Sequence, residues 1–136
     1  MKYPTVFATV DVVIRKGDKL LLGRKAHQSK FRFVGGFADP AYDNSYEDAA
    51  KREAKEETGI EVQSVKYLGS TRIDDPRYRN TPDCIITHLF EATEWSGEPV
   101  ASDDIAELKW FDRELLSVAD FVEEHDVLWN LFCRRQ

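Results

Sequence analysis

The 136-residue sequence is poor in cysteine and in long apolar runs, and both shortages limit what the protein can be. Its two cysteines, Cys84 and Cys133, are too few for a disulfide framework, and no Cys/His cluster has the spacing of a zinc site. Apolar runs are as short as Val12-Val13-Ile14, whereas a membrane-spanning helix needs about 20 apolar residues. The start of the chain has no signal-peptide core. A reducing, cytoplasmic setting without membrane contact is therefore expected.

Basic residues are also outnumbered, since 19 lysines and arginines stand against 25 aspartates and glutamates and leave a net charge of −6. A nucleic-acid-binding protein normally presents a basic face, so no DNA partner is expected. An excess of acid can serve solubility alone, or it can gather carboxylates around a divalent cation. The positions of the acidic residues decide between the two.

The order of the predicted elements points to a layered fold. No repeat, low-complexity tract or long linker interrupts the chain, so residues 1–136 are predicted to form a single domain. Apolar, β-branched runs bounded by turn residues predict strands at 5–15, 20–24, 31–34, 62–72, 84–93 and 107–111. An amphipathic helix is predicted at about 119–132. With the central helix described next, this order predicts an α/β or α+β fold, a mixed sheet between two helical layers.

Residues 45–59 predict the clearest helix. Ser45 can cap its start, and Asp48 three residues later completes a capping box of the S-x-x-D kind. Alanines within the segment favour the helix. Gly59 can end the helix in the left-handed conformation that glycine adopts at this position.

Three glutamates, Glu53, Glu56 and Glu57, share one face of this helix because they lie at i, i+3 and i+4. Like charges at this spacing destabilise a helix by a few tenths of a kcal/mol per pair. The stripe is either a solvated face relieved by neighbouring lysines and arginines or a set of ligands for a hard cation such as Mg²⁺. Gly36, in a Gly-Gly pair before the helix, would let backbone carbonyls approach the same ion.

The run from Arg52 to Ile60, with the sequence REAKEETGI, resembles the signature of the Nudix hydrolases. The family pattern is a glycine, five residues, a glutamate, seven residues, and then Arg-Glu-apolar-x-Glu-Glu-x-Gly-apolar. The second half matches at every defined position. The first half departs from the pattern, because Asn44 stands where the glutamate is expected and Gly35-Gly36 come two residues early. Asp39 and Asp43 are both candidates to replace that glutamate.

The resemblance implies a Nudix-type helix–sheet–helix sandwich that hydrolyses a diphosphate joining a nucleoside to a second group, with Mg²⁺ or Mn²⁺. Gly36, Glu53, Glu56 and Glu57 would bind the metal, and Arg52 would pair with one of the glutamates and fix its rotamer. The family also implies that two copies can pair as a homodimer.

The resemblance leaves two sources open for the general base. In some relatives the base is a glutamate of the Nudix signature, here Glu53 or Glu56. In others it comes from a late acidic loop, which here contains Asp103, Asp104 and Glu107.

The loop before residue 84 carries the substrate prediction. Pro76, sixteen residues after Ile60, resembles a proline of the subgroup that cleaves ADP-ribose, whereas Tyr78 resembles a tyrosine of dinucleoside-polyphosphate hydrolases. The segments Asp75-Pro76-Arg77 and 86–90 resemble the Nudix half of proteins fused to a nicotinamide-mononucleotide adenylyltransferase, a half associated with ADP-ribose. ADP-ribose, cleaved to AMP and ribose 5-phosphate, is therefore the expected substrate. Dinucleoside polyphosphates, nucleoside triphosphates or capped RNA are alternatives, as is a module that binds ADP-ribose without cutting it.

Four residues are candidates to contact such a nucleotide. The guanidinium groups of Arg77 and Arg79 match phosphate oxygens, and the rings of Tyr78 and Phe37 can stack on a base. A solvated basic loop and ordinary core packing are the alternatives for the arginines and the aromatics, respectively.

Overall fold

A computed structural model describes residues 3–135. Within these residues six strands form one sheet: β1 (Val6–Lys16), β2 (Lys19–Lys25), β3 (Val34–Phe37), β4 (Glu61–Ile73), β5 (Cys84–Ser96) and β6 (Ile105–Asp112). Two α-helices accompany them, α1 (Tyr46–Thr58) and α2 (Asp126–Arg134). Short 3₁₀ turns lie at 76–78, 113–115, 118–120 and 123–125.

The sheet is mixed. Its strands follow the order β4-β5-β1-β2-β6, and β3 also pairs with β1. The β1–β5 pair is parallel, and the other pairs are antiparallel. In the register of β1 with β3, Asp11 lies opposite Gly35 and Val10 lies opposite Gly36. The Gly-Gly pair therefore lies beside the middle of β1.

Each face of the sheet buries one helix, because successive strand residues point to opposite faces. On one face the alanines of α1 pack into a core with Val10, Val12 and Ile14 of β1. On the other face the apolar side of α2 packs with Val13 of β1 and Leu20 of β2. The expected helix–sheet–helix sandwich with a mixed central sheet is thus confirmed. Within residues 3–135, neither helix has the length and apolar composition that crossing a membrane would require.

The caps of α1 agree with the sequence prediction. The Ser45 side chain accepts a hydrogen bond of 3.0 Å from the backbone N–H of Asp48. The Asp48 carboxylate accepts from the N–H of Asn44 (3.3 Å) rather than from that of Ser45, so only the Ser45 half of the predicted capping box is formed. Gly59 has φ 76° and donates its N–H to the Lys55 carbonyl (2.8 Å). Local signals are therefore enough to define both ends of this helix.

The predicted helix at 119–132 was wrong in its first half, because α2 begins at Asp126. The N–H of Phe31 donates to the carbonyl of Asp120 (3.0 Å), and the N–H of Val122 donates to the carbonyl of Phe31 (2.8 Å). These bonds to a distant segment keep the backbone around Phe121 extended. Phe121 and Val122 are buried as expected, but they do not lie on a helix.

The strand predicted at 31–34 is also displaced. The observed β3 spans Val34–Phe37 and includes both glycines of the Gly-Gly pair, whereas Phe31 and Arg32 form isolated bridges. Pairing with β1 extends the strand through the glycines, which local propensity alone does not predict. The other predicted strands are confirmed, with ends that differ by a few residues.

Candidate active site

A cavity of about 830 Å³ opens between α1, β3 and the loop that follows β4. Glu53, Glu56 and Glu57 of α1 all contribute to its lining, as do Gly36 and Phe37 of β3. The helical spacing of the three glutamates therefore brings them to one cavity, as the sequence predicted.

Gly36 lies directly against Glu53. A Cβ atom at Gly36 would lie 2.5 Å from Oε2 of Glu53, which is closer than real Cβ contacts come. Only glycine allows this approach without displacing the carboxylate. The structure thus places Gly36 beside the glutamates, where the sequence analysis expected it.

Glu57 is the most enclosed of the three glutamates. The residue is 5% exposed, and Oε1 of its carboxylate accepts a hydrogen bond from the N–H of Gly35 (2.8 Å). Burial raises the pKa of Glu57 to about 7. Burial, and then the charge of Glu56, also raises the pKa of Glu53. These desolvated, crowded carboxylates are of the kind that a cation stabilises.

Arg52 connects the helix to the preceding loop. Its Nη1 donates to Oε1 of Glu53 and to Oε1 of Glu56, both at 3.0 Å. Its Nε and Nη2 donate to the two oxygens of Asp43, at 2.9 and 2.8 Å. The pairing of Arg52 with a glutamate, predicted from the sequence, is present, and it involves two glutamates.

Asp43 occupies the position beside Arg52 for which the sequence offered two candidates. Its side chain is 4% exposed, and the hydrogen bonds from Arg52 hold its pKa below the usual range. Asp39 instead accepts a hydrogen bond from the N–H of Ala41 (2.9 Å) and donates its own N–H to Asp43 (2.8 Å). Asp43 thus contacts the arginine, and Asp39 shapes the loop around it.

The donor set fits a hard divalent cation, because the carboxylates of Glu53, Glu56 and Glu57 are the oxygen ligands that Mg²⁺ and Mn²⁺ take. As they lie, however, no three histidine, cysteine, aspartate or glutamate side chains within residues 3–135 are placed to share one ion. Two of the glutamates are hydrogen-bonded to Arg52. Arg52 bonds only Oε1 of each of these glutamates, so the second oxygen of each carboxylate could bind a metal while Arg52 orients the side chain.

The late acidic residues separate into two groups. Asp103 and Asp104 line the cavity, and Asp103 has a backbone φ of 56°. Glu107 lies on β6 outside this lining, where its Oε1 accepts a hydrogen bond of 2.9 Å from Nε of Arg24. Of the three candidates for a base outside α1, the structure brings Asp103 and Asp104 to the glutamates but not Glu107.

Arg77 and Phe37 meet on another wall of the cavity. The Arg77 guanidinium lies 5.6 Å from the centroid of the Phe37 ring, in range for a cation–π contact. Asp75 fixes the guanidinium through two hydrogen bonds, from Nε (3.0 Å) and Nη2 (2.8 Å). Phe37 is 41% exposed, so its ring is not part of the core and is available to a ligand.

Tyr78 and Arg79 are placed away from the glutamates. Both line a second cavity of about 560 Å³ behind the same loop. Tyr78 stacks on Phe7 with ring centroids 4.9 Å apart, and Arg79 donates two hydrogen bonds of 2.9 Å to Asp74. The two halves of the predicted substrate-binding set thus face different cavities.

Three buried polar residues in or beside the cavity were not predicted from the sequence: Asp11, Thr87 and His125. Asp11 had a local signal, since it is the one charged residue in the apolar run Val10–Ile14. Thr87 and His125 had none, because their proximity to Asp11 depends on strand pairing and on the packing of α2.

The fold is a mixed sheet between two helices, and its cavity is lined by glutamates that lie against a glycine pair. Fold and site together agree with the Nudix class. A family model described as NUDIX domain matches residues 6–131. The chain therefore belongs to the Nudix family, whose hydrolases generally use divalent metal ions and act on small-molecule nucleotide substrates.

Two relatives illustrate the range of the family. The chain is 31% identical over 112 residues to the NAD-capped RNA hydrolase NudC of Pseudomonas putida, an alignment that covers 80% of this chain and 37% of the relative. It is 27% identical over 124 residues to the oxidized purine nucleoside triphosphate hydrolase of Danio rerio, which covers 89% of this chain and 74% of the relative. The chain thus spans less than half the length of NudC.

Solved structures show the same fold. The solution structure of the E. coli ORF135 protein matches with a TM-score of 0.77 at 24% identity, and covers 96% of this chain and 91% of that one. The crystal structure of the MutT NUDIX hydrolase from Burkholderia pseudomallei matches with a TM-score of 0.73 at 20% identity, and covers 94% of this chain and 97% of that one.

Proposed function

We propose that the chain is a metal-dependent Nudix pyrophosphohydrolase that cleaves ADP-ribose to AMP and ribose 5-phosphate. The observation that carries the proposal is the presence in one cavity of Glu53, Glu56 and Glu57 together with Arg77 over the Phe37 ring. The first group suits cations that bind a diphosphate, and the second suits a phosphate or a base next to it.

The three glutamates give the site its chemistry. A diphosphate is an anion that a protein of net charge −6 repels. Divalent cations on Gly36 and these carboxylates would reverse the local charge and lower the pKa of a bound water. Arg52, fixed by Asp43, holds Glu53 and Glu56 on the cavity wall, as a residue that orients ligands does.

Four acids inside the cavity are candidates to accept the proton of the attacking water: Glu53, Glu56, Asp103 and Asp104. A general base must reach the water whose proton it accepts. Glu53 is the first choice, because its carboxylate lies against Gly36 in the cavity wall and Arg52 holds it there. Glu107 ranks last, because it is paired with Arg24 outside the cavity lining.

Two candidate substrates, ADP-ribose and NAD-capped RNA, share one chemical unit. NAD contains adenosine, a diphosphate and a ribose, the same unit as ADP-ribose, so the NAD-capped RNA named for NudC and ADP-ribose present the same bond. The Asp75-Pro76-Arg77 segment, which resembles ADP-ribose-cleaving relatives, contributes Arg77 to the cavity. Both points support ADP-ribose over a nucleoside triphosphate.

The test is a substrate panel with Mg²⁺ or Mn²⁺ in ¹⁸O-labelled water, with products identified by mass spectrometry. ADP-ribose should yield AMP and ribose 5-phosphate, and the position of the label reports which phosphorus is attacked. NAD, an NAD-capped RNA, an oxidized purine nucleoside triphosphate and a dinucleoside polyphosphate complete the panel. Faster turnover of any of these would reject ADP-ribose as the substrate while keeping the family chemistry.

Glu57→Gln should lower kcat by at least about 100-fold, since it removes one charge from the cation-binding set. Glu61→Gln is the matched control, because Glu61 lies on β4 and pairs with Lys55 outside the cavity lining (2.6 Å). Binding of ADP-ribose without turnover by the unmodified protein would identify a non-catalytic module instead.

A single domain over 1–136, a cytoplasmic location and a homodimer complete the proposal, and the mass in solution tests the last of these.

A further inference from the structure

Asp11 of β1, Thr87 of β5 and His125 before α2 form a buried polar cluster, which we call the cavity floor. Asp11 is 7% exposed and His125 is 6% exposed, and both line the cavity. The hydroxyl of Thr87, which is itself buried, donates to Oδ2 of Asp11. Nothing in the proposed hydrolysis uses these three residues, although buried polar groups are costly to keep.

Asp11 keeps one oxygen uncommitted. Its Oδ1 lies 3.7 Å from Nε2 of His125, which is longer than a hydrogen bond, and no other group within residues 3–135 donates to it. This oxygen is therefore a free acceptor in a side chain that lines the cavity.

His125 supplies a donor beside that acceptor. The backbone N–H of Phe33 donates to Nδ1 of His125 (3.3 Å), so Nδ1 is an acceptor. Burial lowers the pKa of His125 well below its ordinary value, and the neutral ring carries its single proton on Nε2. The floor thus presents an acceptor, Oδ1, and a donor, Nε2–H, side by side.

The floor adjoins the glutamates across the Gly-Gly pair. Asp11 pairs with Gly35 in the sheet, and a Cβ at Gly35 would lie 2.7 Å from Oδ1 of Asp11. The N–H of the same glycine donates to Glu57. A group attached directly to a diphosphate at the glutamates would therefore lie over the floor.

We propose that the cavity floor recognises a ribose hydroxyl, with Oδ1 of Asp11 accepting a hydrogen bond from the 2-hydroxyl of a ribose attached to the diphosphate. Nε2–H of His125 donates to the oxygen of the same hydroxyl. This inference rests on the proposed function, because it takes the diphosphate to lie at the glutamates.

The chemistry of the floor favours a hydroxyl over other groups. A carboxylate repels phosphate, and an aliphatic group would leave Oδ1 and Nε2–H without partners, at a cost in free energy. A hydroxyl both donates and accepts, which matches the pair. A carboxylate that accepts from a ribose hydroxyl is also how dinucleotide-binding folds read ribose.

The test uses binding of reaction products, which does not depend on turnover. Ribose 5-phosphate is compared with 2-deoxyribose 5-phosphate, and AMP with 2′-deoxy-AMP, by NMR titration of the full chain with Mg²⁺. The first pair reports on the distal ribose and the second on the ribose of adenosine. One pair should show at least about tenfold weaker binding of the deoxy probe. If neither pair differs in the unmodified protein, the inference is overturned.

Asp11→Asn should reduce the difference between the paired probes to less than twofold, and His125→Gln should lower it in the same direction. The matched controls are Asp18→Asn, in the β1–β2 turn, and His88→Gln, whose ring stacks on Tyr46 outside the cavity lining. Both controls should retain the full difference. Retention of the full difference in Asp11→Asn would overturn the inference.

Thr87 acts through Asp11 and is a positioning residue. Thr87→Val should reduce the difference between the probes, and Thr87→Ser should restore it, because serine keeps the hydroxyl. The two Thr87 variants also test the proposal if Asp11→Asn does not fold. Failure of the unmodified protein to hydrolyse ADP-ribose, with the difference between the probes intact, would reject the proposed substrate and leave the floor standing.

Discussion

The two sides of the cavity are built in different ways. The glutamate side takes Glu53, Glu56 and Glu57 from one turn of α1, and Arg52 of the same helix binds two of them. The floor combines Asp11 and His125, which lie 114 residues apart in the sequence (125 − 11). Yet burial raises the pKa of Glu57 and of Asp11 to the same value, about 7. Similar electrostatic environments thus arise once from helical periodicity and once from strand register.

Gly35 lies where the two sides meet, and its replacement should have the largest effect on stability. In Gly35→Ala the new Cβ would lie 2.0 Å from the carbonyl oxygen of Val10, a backbone atom that cannot rotate away. The variant should lose about 3 kcal/mol of unfolding free energy. Urea unfolding measures this. Gly23→Ala is the control, since its Cβ would meet only the Ile105 and Val34 side chains, at 3.1 Å or more. Equal losses in the two variants would contradict the backbone clash.

Asp43→Asn should affect the glutamate side alone. Loss of the charge weakens the two hydrogen bonds that anchor Arg52, and with them the placement of Glu53 and Glu56. We expect kcat to fall by about tenfold, which is about 1.4 kcal/mol. Steady-state kinetics measure the change. Asp39→Asn is the matched control from the same loop, and a larger effect there would show that Asp39 is the true replacement for the missing glutamate.

Both sides should make the metal-free protein less stable as the pH rises. The folded-state pKa values of Glu57 and Asp11, about 7, lie above their ordinary values, so the folded state binds protons more tightly than the unfolded state. Their contribution is complete at low pH and is lost as the pH rises through 7. Between about pH 6.5 and 8, the ionisation of each group should lower the free energy of unfolding by about 1 kcal/mol.

Urea unfolding with EDTA across this window measures the slope. His125, whose pKa is lowered, is neutral in the folded state, but in the unfolded state its ordinary pKa of about 6.5 leaves it half charged at the start of the window. It therefore contributes a smaller slope of opposite sign, confined to the lower part of the window. Glu57→Gln and Asp11→Asn should each remove about half of the slope. A slope of opposite sign in the unmodified protein would contradict the burial of these carboxylates.

The smallest effect is expected at a carboxylate that belongs to neither side. Glu61 pairs with Lys55 on the surface, where an ion pair contributes less than about 1 kcal/mol. Glu61→Gln should therefore leave kcat unchanged and move the unfolding midpoint only slightly. A loss of activity in this variant would show that the charge of the whole acidic surface matters, rather than the three cavity glutamates.

The glutamate side could be predicted because its causes are local. Ser45, Gly59 and the alanines specify α1, and its helical periodicity then places the three glutamates on one face. The sequence narrowed the residue that replaces the missing signature glutamate to two candidates, Asp39 and Asp43, and the contact with Arg52 favours Asp43. Loop conformation selects between Asp39 and Asp43, and a two-residue insertion gives no local signal of that conformation.

The floor and the second helix could not be predicted in this way. Hydrogen bonds to Phe31 hold the backbone at 121–122 extended, although the residues there have a helical apolar pattern. The same packing brings His125 to Asp11. Likewise, whether Tyr78 and Arg79 face the glutamates depends on how the loop folds over β4, and they face the second cavity.

By itself the sequence determined α1, its caps, most of the strands and the acidic stripe, because these depend on contacts between residues a few positions apart. Tertiary structure alone decided which acids meet in the cavity. It joined Asp11 to Thr87 and His125, separated Glu107 from the glutamates and placed Gly35 between the two sides. Strand register and layer packing bring together residues that are far apart in the chain, and no local pattern encodes those distances.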